Sequence, residues 1–397
     1  MAVAGIIAEY NPFHTGHQRL IRQVRQRLGE DTPVVAAMTG NWAQRGECAI
    51  ADKWQRARWA VQGGADLVLE LPTPWALSSA EGFARGGMEV LAGTGVVDAL
   101  CFGSECGESA PLRRAAQCLD SPAFAQRLHV HLDSHKPFAV CRQLAAADLL
   151  GLEGARVLAS PNDNLGVEYL RAGQALGWTG EVLAIPRTGA GHDDPRPAQG
   201  YASASILREW MRTGQGWNAS FFLPTPWPEG LSPAHMGQIE RAVLYRLRSM
   251  GARDFARLPD SGAGEGLPDR LAAAAQSACS MEEFYFTAKT KRYTHARIRR
   301  LALWAFLNLE AQDRLEHIPY LRVLALNRRG REILRQVNKR GTLPVLAKPA
   351  HARRLSQPAK ELMELEARCT DLYDLCFPEL KKGGREWTQS PVYLPGR

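Results

Sequence analysis

Two histidines three positions apart are the most chemically suggestive residues near the amino terminus. The segment that holds them reads Gly5-Ile-Ile-Ala-Glu-Tyr-Asn-Pro-Phe-His-Thr-Gly-His17. Two imidazoles at this spacing can face one anion, and Gly16 between them leaves room for a ligand to approach the backbone. A helix that begins here adds free N–H donors and a partial positive charge. We therefore predict that His14 and His17 are catalytic and hold the phosphates of a nucleotide.

Other common phosphate and metal sites fit this chain poorly. It has no GxxxxGK[ST] segment, and no GxGxxG segment follows a predicted strand, which disfavours a kinase-type or dinucleotide site. A metal site at His14 and His17 lacks a third ligand nearby, so we predict no metal held by protein ligands. We therefore interpret the pair as the binding site of a nucleotide from which pyrophosphate is the leaving group.

Apolar runs alternate with amphipathic segments over the first 215 residues. The strands and helices that this alternation predicts must position the histidines. Strands are predicted at 2–8, 34–38, 66–71, 99–102 and 181–185. Helices are predicted at 16–28, 53–61, 80–91, 166–175 and 204–211. The pattern indicates an α/β fold with a Rossmann-like, doubly wound parallel sheet. Ligands of such sheets lie at the carboxyl ends of the strands, where residues 9–11, 39–41, 103–105 and 186–188 are expected.

The rest of the chain differs in composition. Pro, Gly and Trp accumulate in 216–270, apart from a helical patch at 238–248, which predicts a connector. Helical patterns at 281–286, 296–309, 329–337 and 358–376 predict a mainly α-helical domain over 271–397. Residues 281–397 hold 23 of the 49 Lys and Arg but only 13 of the 41 Asp and Glu, so the excess of positive charge lies there. Residues 1–215 are the predicted catalytic domain.

Composition limits the class of protein. The chain has 397 residues, of which 45% are hydrophobic and 23% charged, which is typical of a folded globular protein. Its start lacks a basic segment, Glu9 interrupts the first apolar run, and no run approaches the roughly 18 apolar residues of a membrane span. The eight cysteines form no CxxC pair. We expect a cytoplasmic protein with reduced thiols and no membrane partner.

Two basic clusters suggest a polyanionic partner. Residues 289–300 contain six Lys or Arg in twelve positions, including Lys291 and Arg292. A second cluster comprises Arg322, Arg328, Arg329, Arg331, Arg335, Lys339 and Arg340. Spacing of three or four along a helix would align several of them to follow a phosphate backbone. On charge alone, a solvated basic face explains them equally well.

Several segments, taken in order, carry a family resemblance. They are the histidine segment, Gln44-Arg-Gly-Glu47, Gly64-Ala-Asp-Leu-Val-Leu-Glu-Leu-Pro72, Cys101-Phe-Gly-Ser-Glu105, Ser160-Pro-Asn-Asp-Asn-Leu-Gly166 and Thr290-Lys-Arg-Tyr-Thr294. The HxGH pattern resembles the superfamily of nucleotidylyltransferases and class I aminoacyl-tRNA synthetases. The combination, which extends to about residue 340, is similar to the bacterial tRNA(Met) cytidine acetate ligase family.

The resemblance implies a two-step reaction. Acetate attacks the α-phosphate of ATP to give acetyladenylate, and N4 of the wobble cytidine of elongator tRNA(Met) then takes the acetyl group, giving N4-acetylcytidine and AMP. Mg²⁺ is expected with the phosphates. Lys291 and Arg292 are expected to bind the tRNA. The implied ATP contacts are Ile7, Ala8, Glu9, Tyr10, Asn11, Pro12, Phe13, His14, Thr15, Gly16, His17, Gln18, Arg19, Leu20, Gly103, Asn162 and Arg187.

Some questions stay open at this point. The Gln44–Glu47 loop and Asp66 are either functional or only organise their surroundings, and the helix start at 201–208 fits a triphosphate-closing segment loosely. A nucleotidylyltransferase of a phosphorylated metabolite is an alternative, but it leaves the basic region without a role. A nonenzymatic RNA-binding protein is another, which the intact HxGH disfavours. The acetate pocket, individual tRNA contacts, protein partners and oligomeric state are not predicted.

Overall fold

One mostly parallel sheet organises the protein. The computed structural model describes residues 2–132, 136–187, 196–198, 200–262, 264 and 266–395. Its strands are β1 Ala4–Ala8, β2 Val34–Thr39, β3 Trp42–Ala43, β4 Glu47–Cys48, β5 Leu67–Leu71, β6 Ala99–Ser104, β7 Glu181–Pro186, β8 Leu321–Asn327, β9 Val345–Leu346 and β10 Val392–Leu394. The main sheet has the order β10-β8-β5-β2-β1-β6-β7, with β9 beside β8. Its neighbours are parallel except for the antiparallel pair β5 and β8.

Helices cover both faces of this sheet and form much of the carboxyl-terminal region. They are α1 Thr15–Leu28, α2 Lys53–Gln62, α3 Thr73–Ala76, α4 Ala80–Gly93, α5 Ser109–Leu119, α6 Pro122–Leu132, α7 Phe138–Ala155, α8 Pro161–Ala175, α9 Ala204–Arg212, α10 Gly216–Ser220, α11 Glu240–Arg248, α12 Ala252–Ala256, α13 Leu267–Ser277, α14 Met281–Ala288, α15 His295–Phe306, α16 Arg328–Arg340, α17 Gln357–Tyr373 and α18 Arg385–Thr388. Among the residues described, no helix combines the length and apolarity that crossing a membrane requires.

Strand order places the ligand-binding crevice. From β1 the chain builds the sheet in one direction through β2 and β5, and then adds β6 and β7 on the other side of β1. The order therefore reverses between β1 and β6. Such switch points open a crevice at the carboxyl ends of the strands, and here that crevice lies beside the β1–α1 turn that contains His14 and His17.

The strands form because their apolar residues are buried on both sides. Val34–Thr39 and Leu67–Leu71 are buried along their whole length, as in the continuous apolar strands of parallel sheets. Neighbouring residues of β1 enter different apolar clusters: Ile6 lies in the cluster of α1 and α2, and Ile7 in that of α4 and α8. Both faces of β1 are thus held, which makes it a rigid base for the turn that follows.

The predicted fold class is confirmed. The strands predicted over the first 215 residues all form, with boundaries shifted by three residues at most, and the predicted helices there form as α1, α2, α4, α8 and α9. The carboxyl-terminal region is mainly helical, as predicted. The sheet is not confined to 1–215, however, because Leu321–Asn327 and Val392–Leu394 extend it. Leu321–Asn327 is buried throughout, and its apolar run was missed between two basic helical patterns. The domain boundaries at 215 and 270 stay a prediction.

A buried ionic cluster joins the carboxyl-terminal segment to the sheet. Lys53 Nζ lies 2.6 Å from Glu70 Oε1 and 2.6 Å from Glu386 Oε2, and Arg322 Nε lies 3.2 Å from Glu386 Oε1. Glu366 accepts hydrogen bonds from the backbone N–H and the hydroxyl of Thr73. Burial, reinforced by nearby Glu70, raises the pKa of Glu366 to about 8. Buried charges of this kind are tolerated only when paired, so the ion pairs tie β8 and α18 to α2 and β5, while the Glu366 hydrogen bonds tie α17 to α3.

Candidate nucleotide site at the β1–α1 turn

The start of α1 is capped by the two histidines themselves. His14 is the N-cap residue, with extended backbone angles, and its Nδ1 accepts the backbone N–H of Gly16 at 3.1 Å. The backbone N–H of His14 in turn donates to Nδ1 of His17 at 3.2 Å. This is the reciprocal pattern of a capping box, made with imidazoles. The two rings lie with their centroids 3.8 Å apart.

These bonds decide the protonation state of both rings. A neutral imidazole has one nitrogen that accepts and one that donates, and here Nδ1 accepts in each ring, so the proton lies on Nε2. Burial, together with the positive Arg187 and Arg208, lowers the pKa of His14 to about 3. Burial, then the neighbouring His14 and Arg187, lower the pKa of His17 well below its usual value. At neutral pH the pair therefore offers two Nε2–H donors and no charge of its own.

Gly16 is required by the position of the His14 ring. A side-chain carbon at Gly16 would lie 2.8 Å from Cε1 and 3.0 Å from Nδ1 of His14. Any other residue would push the ring away from the backbone N–H that it caps. The glycine thus serves the histidine directly, and not only the approach of a ligand.

One part of the sequence interpretation is wrong. We expected free N–H donors at the start of α1, but Thr15 donates its N–H to the carbonyl of Phe222 at 2.8 Å, and Gly16 donates to His14. The N–H groups of His17 and Gln18 both point to the carbonyl oxygen of His14. The cap consumes the donors, so imidazole and arginine side chains, rather than these amides, are left to meet an anion.

A cavity of about 410 Å³ opens at this turn and crosses the carboxyl ends of β1, β6 and β7. Most of the expected ATP contacts line it: Ile7, Ala8, Glu9, Tyr10, Asn11, His14, Gly16, His17, Arg19, Leu20, Gly103, Asn162 and Arg187. Four residues of the same loop lie outside the lining: Pro12, Phe13, Thr15 and Gln18. Phe13 instead packs against Gly63, where an added side-chain carbon would lie 2.1 Å from the Phe13 ring. This contact supports the turn.

Gly103 and Arg187 meet at the ends of β6 and β7. A side-chain carbon at Gly103 would lie 3.3 Å from Cγ of Arg187, so the glycine lets the arginine stem cross the strand end. Arg187 is exposed, and its guanidinium forms no ion pair with any described residue. It is therefore a cation directed at the cavity, suited to pairing with phosphate.

Asn162 is positioned by two carboxylates, each of which accepts hydrogen bonds from the segment that carries the other. Glu105, after β6, accepts from Asn162 Nδ2 at 2.5 Å and from the backbone N–H of Asp163 at 2.9 Å. Asp163 in return accepts from the hydroxyl of Ser104 and from the backbone N–H of Glu105. The amino end of α8 is thus locked onto the end of β6, which fixes Asn162 in the cavity wall.

Contacts show what holds Asp66 and Glu47 in place. Asp66 accepts from the backbone of Val34, from Arg25 and from Asn327, all buried or half-buried, so it organises the sheet. Glu47 forms an ion pair with Arg208 at 2.9 Å. Arg208 also donates to the carbonyl of Asn11 at 2.9 Å, and so joins α9 to the catalytic turn.

Several lining residues were not among the expected site residues. They include Gln44 and Arg45 of the β3–β4 hairpin, and Tyr201, Ala202 and Ser203 before α9. Ser203 is the N-cap of α9. The Ser-rich helix start was the available signal for the second group, and its loose fit to the pattern left it out.

The predicted RNA-binding residues precede a helix that packs against the β3–β4 hairpin. Lys291 and Arg292 are exposed in the segment before α15. That helix packs against the β3–β4 hairpin: a side-chain carbon at Gly46 would lie 2.6 Å from the backbone of Arg299 and Arg300. Arg322 of the second cluster does not belong to a polyanion surface, because it is 1% exposed and paired with Glu386.

This fold and site define the class of protein. A family model described as HIGH nucleotidyl transferase matches residues 1–386. Curated relatives narrow the class further. The tRNA(Met) cytidine acetate ligase of Acetivibrio thermocellus is 31% identical over 99% of this chain and 100% of its own length, and that of Syntrophotalea carbinolica is 34% identical over 97% of both. The chain belongs to the tRNA(Met) cytidine acetate ligase family, and it is a ligase.

Solved structures agree with this assignment. The chain resembles apo TmcAL of Thermotoga maritima with a TM-score of 0.92 and 30% identity, over 100% of both chains. It resembles the same protein bound with alpha-thio ATP with a TM-score of 0.91, again at 30% identity and over 100% of both chains.

Replacing Gly16 tests the site's geometry. Gly16→Ala should displace the His14 ring and break its bond to the backbone. The displaced His14 ring would then lose its hydrogen bond to a phosphate, and losing a hydrogen bond to a charged group corresponds to about 1.5–3 kcal/mol. We therefore expect binding of inorganic triphosphate, measured by calorimetry, to weaken roughly ten- to hundredfold. Nitrogen NMR of labelled histidine should show the Nε2–H tautomer in the wild type and its perturbation in the variant.

The matched control is Gly216→Ala, where no atom lies within 4 Å of the added carbon. It should bind triphosphate like the wild type. Equal affinity of Gly16→Ala and wild type would contradict the role of the His14 ring.

Proposed function

We propose that this ligase activates acetate with ATP and acetylates the wobble cytidine of elongator tRNA(Met). Acetate attacks the α-phosphate, pyrophosphate leaves, and N4 of the cytidine then attacks the acetyl carbon of acetyladenylate. The products are N4-acetylcytidine, AMP and pyrophosphate. The observation that carries the proposal is a pair of neutral imidazole donors in a cavity beside a helix that contains three arginines.

The first step needs the donors that the site offers. Acetate is already an anion at neutral pH, so its attack on phosphorus requires no base and no protein nucleophile. Negative charge grows on the bridging and leaving oxygens of the phosphates. The Nε2–H groups of His14 and His17 and the cations of Arg187 and Arg19 are placed to stabilise it. These residues, with the rest of the cavity lining and the loop behind it, are the proposed ATP site.

Mg²⁺ is proposed to bind together with the phosphates. Magnesium is commonly held by substrate phosphates and waters with only one or two protein carboxylates. The lining fits that mode, because the described residues contain no group of three metal-ligating side chains and the phosphates and waters would supply most of the ligands. When bound, the ion would neutralise phosphate charge.

The position of α15 supports an RNA substrate. Arg299 and Arg300 of α15 lie against the turn of the β3–β4 hairpin, while Gln44 and Arg45 of that hairpin line the cavity. A phosphate backbone bound along α15 and the segment before it therefore passes next to the nucleotide. Lys291 and Arg292 extend this basic surface, and we propose that they bind the tRNA. The relatives' names point to the same substrate.

The proposed function is tested by determining which acyl donor the enzyme uses. With ATP, Mg²⁺, labelled acetate and tRNA, but without acetyl-CoA, the enzyme should release AMP and pyrophosphate and form N4-acetylcytidine, detected by nucleoside mass spectrometry. His14→Ala should slow acetate-dependent AMP formation roughly a hundredfold or more, and leave tRNA affinity nearly unchanged. A requirement for acetyl-CoA would refute the proposal. So would ATP turnover that ignores acetate and needs a phosphorylated metabolite.

The RNA surface is tested by salt dependence. Lys291→Ala and Arg292→Ala should each weaken tRNA binding and reduce the slope of log affinity against log salt by about 0.9, because each phosphate contact releases a counterion. The control is Lys382→Ala, which removes the same charge from an exposed position between α17 and α18. If all three variants keep the wild-type slope, residues 291–292 are only a solvated face.

A further inference from the structure

Glu9 occupies a distinctive place in the cavity. It follows β1 directly, and its Oε1 accepts the backbone N–H of Gln44 at 2.7 Å. No described residue donates a hydrogen bond to its Oε2. Of the described residues that line the cavity, Glu9 is the only one with a carboxylate. The residue therefore offers a carboxylate oxygen in the cavity that the two imidazoles also line.

The histidines cannot serve as proton acceptors here. In each ring the lone pair of Nδ1 already accepts a backbone N–H, and Nε2 carries the proton. Burial raises the pKa of Tyr10 and Tyr169, the tyrosines nearest to Glu9, so both stay protonated. The amides of Asn11, Gln44 and Asn162 are not bases. Among the described lining residues, the acceptor that remains is Glu9.

The proposed second step requires such an acceptor. When cytidine N4 attacks the acetyl carbonyl, a C–N bond forms and the C–O bond to the phosphate breaks, with its electron pair leaving on AMP. N4 starts with two protons and ends with one, so a proton must be removed. The first step has no such need, because acetate arrives ionised.

We infer that Glu9 is the general base of the acetyl-transfer step and accepts the proton that N4 loses. This inference rests on the function proposed above and assigns the two steps to different groups. The histidines and arginines stabilise the phosphates, whereas Glu9 acts on the nucleoside amine and passes its proton to solvent once the products leave. Burial of the Glu9 carboxyl raises its pKa, which makes it a stronger base than an exposed glutamate.

Glu9→Gln separates the two steps. Its amide oxygen can still accept the N–H of Gln44, so the cavity keeps its shape. We expect acetate-dependent exchange of labelled pyrophosphate into ATP to fall far less than acetyl transfer, although Glu9 also lines the proposed ATP site. Single-turnover acetyl transfer from acetyladenylate to tRNA should fall roughly a hundred- to thousandfold. Glu9→Asp, which keeps a base, should transfer faster than Glu9→Gln.

The pH profile gives a second readout. Wild-type transfer should rise with pH as the Glu9 carboxyl loses its proton, at a pH above the usual range of a glutamate, and Glu9→Gln should lack this rise. The control is Glu153→Gln, which removes an exposed carboxylate that lies outside the cavity lining and away from the charges that act on Glu9. It should change exchange and transfer by similar factors and keep the wild-type profile.

The outcomes distinguish the inference from the function. If exchange and transfer fall together in Glu9→Gln, or if transfer is unaffected, Glu9 is not the base, while wild-type acetylation still supports the ligase. If wild-type enzyme shows neither acetate-dependent exchange nor N4-acetylcytidine, both proposals are overturned. Should Glu9→Gln not fold, Glu9→Asp must still shift the profile and slow transfer more than exchange.

Discussion

The site depends on two backbone N–H groups that donate to the Nδ1 atoms of His14 and His17. These bonds hold the rings in one tautomer and direct both Nε2–H groups away from the backbone and toward the cavity. They also cap α1, so local helix stability and the proposed arrangement for phosphate binding depend on the same contacts. Neutral rings carry little penalty when buried in an empty site, yet they can still donate when an anion arrives.

Buried guanidinium groups hold the turn in place. The side chain of Arg56 is fully buried and donates to the carbonyl oxygens of Glu9 and Thr39, at the ends of β1 and β2, and to that of Ala51 before α2. Arg208 donates to the carbonyl of Asn11. Each arginine satisfies backbone oxygens that the end of a strand leaves unpaired, and burial would otherwise make them costly. Because these carbonyls are held from two sides, His14, His17 and Glu9 have a rigid base.

Sequence patterns predicted the parts of this protein that depend on residues close together in the chain. HxGH after an apolar run indicated the turn at which the cavity opens, because the strand, the glycine and the helix start all lie within thirteen residues. Strand β8 was missed, since its apolar run lies between basic segments and its partner β5 is about 250 residues away. The Lys53 cluster was equally hidden, as it joins side chains from opposite ends of the chain. The pairing of Glu47 with Arg208 and the use of α1 donors for capping also required coordinates, because both depend on side-chain direction.

The central claim is that a carboxylate oxygen of acetate attacks the α-phosphate of ATP in the cavity beside His14 and His17. Reaction of acetate labelled with ¹⁸O in both oxygens tests it most directly. If acetyladenylate forms and its acetyl group passes to the tRNA, one labelled oxygen must remain on the phosphate of AMP, and mass spectrometry of the released AMP should show one ¹⁸O per N4-acetylcytidine formed. AMP without label, or label in inorganic phosphate with ADP as the other product, would contradict the account.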